Sequence, residues 1–357
     1  MDAQSLRDAR LRSHRLTAPA RSVADAARHL LAVQAQEFWA GRWALAARTT
    51  GSPTLRGVDR LFNRGALVRS WTQRGTLHIV PAEDVAWILR ATGERQLHAA
   101  TPRYRELGLN ADVLATVERA VVGALRGSNR LTRAELFAVL ETAGIETRAQ
   151  RGLHAIQNLA LRGIICQGPV VARPDGASRD QQFVLTDEHI TASAAPANPT
   201  TELFVRYVTG HGPASPRDFA WWAGLTLGAA RGAAEASVDD SRVDRVDDEL
   251  FQARVRPRRR ADAPRVIALG PFEEYYISYD DRTIVCPAQH LGAVGPGKNG
   301  MVRAIILRDG VVIGVWRHSN AQGRRTQAPV SELFRADDSG DAEVGAALDR
   351  YAAFITG

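Results

Sequence analysis

Lysine is almost missing from this chain: of its 46 basic residues only Lys298 is a lysine, and the rest are arginines. Cysteine is scarce as well. Cys166 and Cys286 are far apart and show no Cys-x-x-Cys spacing, which excludes a thiolate metal framework and fits a reducing cytoplasm. No stretch approaches about 18 consecutive apolar residues, so a membrane span is not expected. The opening residues MDAQSLRDARLRSHRL lack the apolar segment of a secretory signal. His-Glu-x-x-His, Gly-x-Ser-x-Gly and a glycine-rich phosphate loop are absent too. Gly295-Pro-Gly-Lys298-Asn-Gly300 holds the one lysine, but it lacks P-loop spacing and the following Ser or Thr. Nucleotide hydrolysis is set aside on that ground. The nine histidines are scattered, and His211, inside Gly210-His-Gly-Pro-Ala214, is expected in a surface turn. Nothing calls for a metal or an organic cofactor.

What is present is a globular composition with an uneven charge. The chain has 357 residues, 45% apolar and 24% charged, enough for two to three domains with real cores. Its net charge is +7, and residues 1–100 alone, with 15 arginines against 8 acidic residues, account for all of it. Arginine forks match phosphate oxygens, so a polyanion such as nucleic acid is the expected partner. Genomic base composition accounts equally well for arginine replacing lysine; it does not account for the placement.

One pattern occurs twice. Leu61-Phe-Asn-Arg64-Gly65-Ala-Leu-Val68 and Leu159-Ala-Leu-Arg162-Gly163-Ile-Ile-Cys166 each read as a helix end, an Arg-Gly cap and a β-prone run leading to a hairpin. The second hairpin is expected over Ile164–Ala172 and Gln181–Leu185, with a turn at Pro174–Ser178. Two helices precede it, one opened by a capping box near Thr132 and Glu135, the other over Gln150–Leu161. A third such set has a helix at Leu203–Val208, a helix started by Ser215-Pro216 and stopped by Gly224, and a helix capped by Thr226. It ends in a wing over Arg242–Val255. After Arg256–Arg260 come short β runs at Val266–Leu269, Tyr275–Ser278, Val302–Leu307 and Val311–Trp316, with a turn at Asp309-Gly310 between the last two. A helix is expected near Asp341–Ile355. The expected fold is α+β: three tandem winged-helix units, 1–100, 101–195 and 196–260, and a small β-barrel domain, 261–357.

Two segments carry candidate chemistry. Leu30-Leu-Ala-Val-Gln34-Ala35-Gln36-Glu37 lies late in the first helical pattern. On a helix, residues i and i+2 point about 200° apart, so Gln34 and Gln36 face one cleft only if the helix ends or bends there. A neutral amide donates and accepts at once, and so holds a water without titrating. A polar helix end accounts for the pair equally well. In Arg69-Ser-Trp71-Thr-Gln-Arg74-Gly75-Thr76-Leu-His78-Ile-Val80-Pro81, strand alternation puts Arg74, Thr76 and His78 on one face, suited to phosphate or groove contact. A solvated strand face is the plainer alternative.

Taken in order, Gln34-x-Gln36, Arg69-Ser-Trp71 with Arg74-Gly-Thr-Leu-His78, Asp218-Phe-Ala-Trp-Trp222-Ala-Gly224-Leu225, and Leu269-Gly-Pro-Phe272 with Glu274-Tyr275 resemble the AlkZ/YcaQ-type winged-helix DNA glycosylases over nearly the whole chain. The resemblance implies a C-shaped molecule around duplex DNA that hydrolyses the N-glycosidic bond of N7- or N3-alkylated purines as a monofunctional glycosylase. Unhooking of interstrand crosslinks and self-resistance to a genotoxic natural product are further implications. It makes Gln34 and Gln36 catalytic, with Gln36 positioning the water. Arg69, Arg74, Thr76 and His78 become the expected DNA contacts, the partner is duplex DNA carrying alkylated purines or crosslinks, and the protein is expected as a cytoplasmic, nucleoid-associated monomer. Ala35 is a small choice for the middle position of the motif, which bears on lesion preference. The competing class is a non-catalytic winged-helix DNA-binding protein or transcription regulator, which wants dimeric symmetry and sequence-specific sites.

Overall fold

The structure is a computed structural model, and it describes residues 1–173, 178–255, 257–319, 326–335 and 342–357. Two compact units emerge, residues 1–58 with 200–357, and residues 59–199. The chain begins with α1 (Ala3–Ser13), α2 (Val23–Leu30), the two-residue β1 (Val33–Gln34), α3 (Phe38–Ala47) and α4 (Leu55–Asn63). It continues through β2 (Leu67–Trp71), β3 (Leu77–Pro81), α5 (Val85–Glu106), α6 (Ala111–Leu125), α7 (Arg133–Thr142), α8 (Arg151–Leu161), β4 (Ile165–Val170), β5 (Gln181–Leu185) and the short α9 (Thr186–His189). The expected boundary at residue 100 falls inside α5, whose 22 residues run through it.

In the unit of residues 59–199, β2 lies between β3 and β4, and β5 pairs with β4, all antiparallel. Helices α5 to α8 pack below through one core that includes Trp71, Tyr104, Val121, Leu136, Ile156 and Phe183. The repeated Arg-Gly caps form as expected: Gly65 and Gly163 have φ of 74° and 73°, each two residues before a strand. Helix α7 opens with a full capping box between Thr132 and Glu135. The order α7, α8, β4, β5 is the expected helix, helix, hairpin. Most of the turn proposed at Pro174–Ser178 lies outside the described residues.

The other unit resumes with α10 (Pro199–His211), α11 (Pro216–Ala223), α12 (Leu227–Asp239), β6 (Val243–Arg245) and β7 (Phe251–Ala253). Ser215 and Asp218 form a capping box on α11 with proline in its first turn, and Gly224 ends it at φ 67°. Strands β6 and β7 pair antiparallel where a wing was expected. Then come β8 (Val266–Leu269), α13 (Glu274–Ile277), α14 (Leu291–Val294), β9 (Ala304–Arg308), β10 (Val311–Arg317), β11 (Val330–Leu333) and α15 (Ala342–Thr356). Asp309 and Gly310, at φ 47° and 79°, make the tight β9–β10 turn.

Two expectations for this region are corrected. The four strands are ordered β11-β10-β9-β8, and among the described residues β8 and β11 are not paired, so the sheet is open rather than a closed barrel. Helix α15 packs against β8 and α3, with Tyr351 against Trp39, Trp43 and Trp316. A covered face buries apolar surface without closure. The second correction is Tyr275–Ser278, read as a strand. It is helical: the Glu273 side chain accepts the Tyr275 amide and caps α13, and the whole turn is buried. A run buried on every side carries no alternation to read.

Candidate active site around the Gln34–Gln36 segment

Helix α2 does end before the glutamines. Leu31, fully buried, has φ 66° and ψ −54°, and the Ala32 amide donates back to the Leu30 carbonyl at 2.8 Å. This is a γ-turn of positive φ, a rare and strained conformation for a branched residue. It throws Val33-Gln34 into extended backbone and leaves Gln36 and Glu37 exposed at the start of α3, where Glu37 is the N-cap. The motif is therefore not a helix end. It is a short extended segment between a strained turn and a helix N-terminus.

Two glycines let other elements come close. A Cβ on Gly210 of α10 would lie 3.1 Å from the His29 carbonyl oxygen and 3.2 Å from Leu30 Cα. One on Gly270, just after β8, would lie 3.1 Å from Ala40 Cβ in α3. With no side chain at either position, α10 and the β8 end approach the two helices that flank the motif.

Behind the motif lies a buried carboxylate. Glu274 is fully buried, and its Oε1 accepts the backbone N–H of Gln34 at 2.7 Å. Its Oε2 accepts Trp222 Nε1–H at 3.1 Å and the Ser278 hydroxyl, and His211 Nε2 stands 3.5 Å from it. His211 is fully buried, not in a surface turn, because α10 runs to its very position before Gly212. Its ring stacks on Tyr207, and its Nδ1 donates to the Tyr207 carbonyl at 3.0 Å.

A second polar group lies alongside. Arg48 and Glu273, both fully buried, form an ion pair. Arg48 also approaches His14 Nδ1 at 3.5 Å, while His14 Nε2 meets the Tyr279 hydroxyl at 2.8 Å. Tyr279 gives its own proton to the His211 carbonyl at 2.6 Å, so His14 must donate at Nε2. Burial first, then His211 and the Arg48 and Arg10 cations, push the His14 pKa well below its ordinary value. Burial also pushes the Tyr279 hydroxyl far up. Neither of these two side chains changes charge near neutrality.

The other predicted residues lie in the unit of residues 59–199. Strand alternation does not run through Trp71–His78. The chain turns at Gln73–Gly75, with Arg74 at φ 56°, and β3 returns along β2 with Ser70 opposite His78. His78 is fully buried and meets Thr72 Oγ1 and the Thr76 carbonyl, both at 3.0 Å. Arg69 is buried too and donates to Gln167 Oε1 at 2.9 Å. Only Arg74 and Thr76, half-buried in the turn, keep access to solvent. The expected Arg/Thr/His row is therefore a hairpin tip with a buried base.

A model of the family described as DNA glycosylase AlkZ-like matches residues 27–354. The chain belongs to the AlkZ-like DNA glycosylase family. An interstrand DNA cross-link repair glycosylase of Streptomyces sahachiroi is 24% identical over 319 residues, covering 83% of this chain and 82% of that protein. The solved structure of Streptomyces sahachiroi DNA glycosylase AlkZ superposes with a TM-score of 0.76 at 21% identity, covering 100% of this chain and 98% of the other. At that identity the structural likeness establishes the fold.

Within this AlkZ-like chain, sequence reasoning gave no role to Glu274, although it lay in a quoted motif. The tie to Gln34 spans 240 positions, and no local pattern encodes it. The charge count also changes meaning. Arg10, Arg42, Arg48 and Arg69, four of the 15 arginines in residues 1–100, are buried, so part of the local excess never reaches the surface. Among the described residues no helix is long and apolar enough to cross a membrane, and no cluster of His, Cys, Asp and Glu could hold a metal ion.

Proposed function

We propose that this chain hydrolyses the N-glycosidic bond of N7- or N3-alkylated purines in duplex DNA as a monofunctional glycosylase. The observation that carries the reading is the Gln34–Gln36 segment: Gln36 is exposed, and Gln34 is pinned from behind by a buried carboxylate. An alkylated purine is cationic and departs readily, so the transition state resembles an oxocarbenium ion. As the C1′–N9 bond breaks, its electron pair neutralises the purine. A water oxygen bonds to C1′ and sheds a proton to solvent. Such a reaction needs an oriented water and a polar site more than a strong base. Gln36 accepts a hydrogen bond from that water and aims its lone pair at C1′; Gln34 orients it or contacts the backbone beside the lesion.

In this reading the three winged-helix units expected over 1–100, 101–195 and 196–260 bind DNA, the last two through the helix-helix-hairpin sets α7-α8-β4-β5 and α11-α12-β6-β7. Arg74 and Thr76 meet the DNA backbone, and Arg69 and His78 shape their turn from inside. Interstrand cross-link repair is named for the Streptomyces sahachiroi relative; crosslink unhooking and self-resistance extend the proposal to bulkier adducts. The protein acts as a monomer.

Incubation with alkylated duplex in EDTA, followed by alkaline cleavage of abasic sites, tests the reading. Strand cleavage is expected for simple or bulky adducts. Its absence across both would favour a non-catalytic DNA-binding protein.

A further inference from the structure

We infer that Glu274 is a positioning residue for excision: it holds the Gln34–Gln36 segment in its working shape and puts a fixed acceptor group directly behind it. The inference rests on the glycosylase reading. Glu274 is fully buried, so it acts through Gln34 rather than on the substrate directly. The γ-turn at Leu31 is strained, and a strained backbone persists only where its surroundings over-determine it. The Gln34 N–H to Glu274 bond, at 2.7 Å, is a side-chain tether on the motif's own backbone.

The chemistry of the tether selects a carboxylate. Gln34 N–H donates to Oε1, and Trp222 Nε1–H and the Ser278 hydroxyl donate to Oε2. An acceptor-only carboxylate satisfies donors on both oxygens. A glutamine there has one oxygen and one NH2 group, and its NH2 must face either the Gln34 amide or the Trp222 indole. Both are donors that cannot accept, so one contact becomes repulsive. Glu274→Gln keeps the volume, breaks this match and removes the negative charge beside His211.

The experiment compares the parent with Glu274→Gln, and with Trp222→Phe, which removes one donor from the carboxylate. Single-turnover excision per folded molecule, affinity for lesion-bearing duplex, and hydrogen exchange of the Gln34 amide are measured on each. Glu274→Gln is expected to lower the excision rate about 10²-fold, the scale of a misplacement near 1 Å. DNA affinity should stay within about twofold, because only the motif's alignment changes. Gln34 amide exchange should quicken, by up to about tenfold, since its acceptor is either replaced by an NH2 group or held by one partner fewer. Trp222→Phe should move rate and exchange in the same direction by less. A merely structural Glu274 would lower the melting temperature and leave the per-molecule rate and the Gln34 exchange unchanged, and that result overturns the inference. If the parent itself excises nothing, the glycosylase reading fails, and unchanged Gln34 exchange in Glu274→Gln would then sink the positioning claim separately.

Discussion

Gln34 gives its backbone N–H to Oε1 of Glu274 at 2.7 Å, across 240 positions of sequence. The bond ties a two-residue strand, left by a strained turn, to the first residue of a buried helical turn. It leaves the side chain of Gln36 exposed on a backbone that is not free to relax.

The buried ion pair beside this bond should be costly to break. Arg48→Ala strands Glu273 in a desolvated site, and losing one partner of a buried pair costs about 3–5 kcal/mol. Urea unfolding of the variant should show a loss of that size. A loss below about 1 kcal/mol would mean that water reaches Glu273.

Acid should destabilise the fold through His29. Its Nε2 donates to the Ser13 carbonyl at 2.7 Å, and Arg15 faces its Nδ1 at 3.3 Å. Burial first, then the Arg15 cation, lower its pKa from 6.5 to about 4. The unfolded chain takes up the proton near 6.5 and the folded chain resists it. Stability is therefore complete above about pH 7 and falls as pH drops through 6.5 towards 4, by up to roughly 3 kcal/mol. His14 acts in the same direction. Unfolding free energies at pH 7.5 and 5, for the parent and His29→Gln, check this; an equal acid loss in both would clear His29.

DNA affinity should fall steeply from low to physiological salt as phosphate neutralisation releases counterions. Arg74→Ala should reduce the slope of log affinity against log salt by about one. Arg69→Ala should leave the slope unchanged and lower stability, since its guanidinium is buried against Gln167. The reverse pattern would put Arg69 on the DNA.

Local rules made much of the fold legible. Ser215 with Pro216, Thr132 with Glu135, and the Arg-Gly caps at Gly65 and Gly163 mark helix ends through backbone hydrogen bonding within a few residues. The turn at Arg74 was not legible, because a non-glycine residue at positive φ leaves no sign in an alternating pattern. His211 was misplaced for a related reason: a Gly-Pro neighbourhood marks a turn but says nothing of burial. The two glutamines stood out as types, while their setting depends on Glu274, Trp222 and His211, which only tertiary folding brings together.

The most direct measurement is the excision rate of Gln36→Ala against its affinity for an alkylated duplex, from pH 6 to 8. An oriented water matters mainly in the transition state, so the rate should fall by roughly 10²-fold, about 3 kcal/mol, with affinity nearly unchanged. Gln34→Ala should lose less, and the rate per folded molecule should be flat with pH because neither amide titrates. A Gln36→Ala enzyme as fast as the parent, or a bell-shaped profile with limbs near neutrality, would contradict the account and assign the water to another group, with the exposed Glu37 next in line.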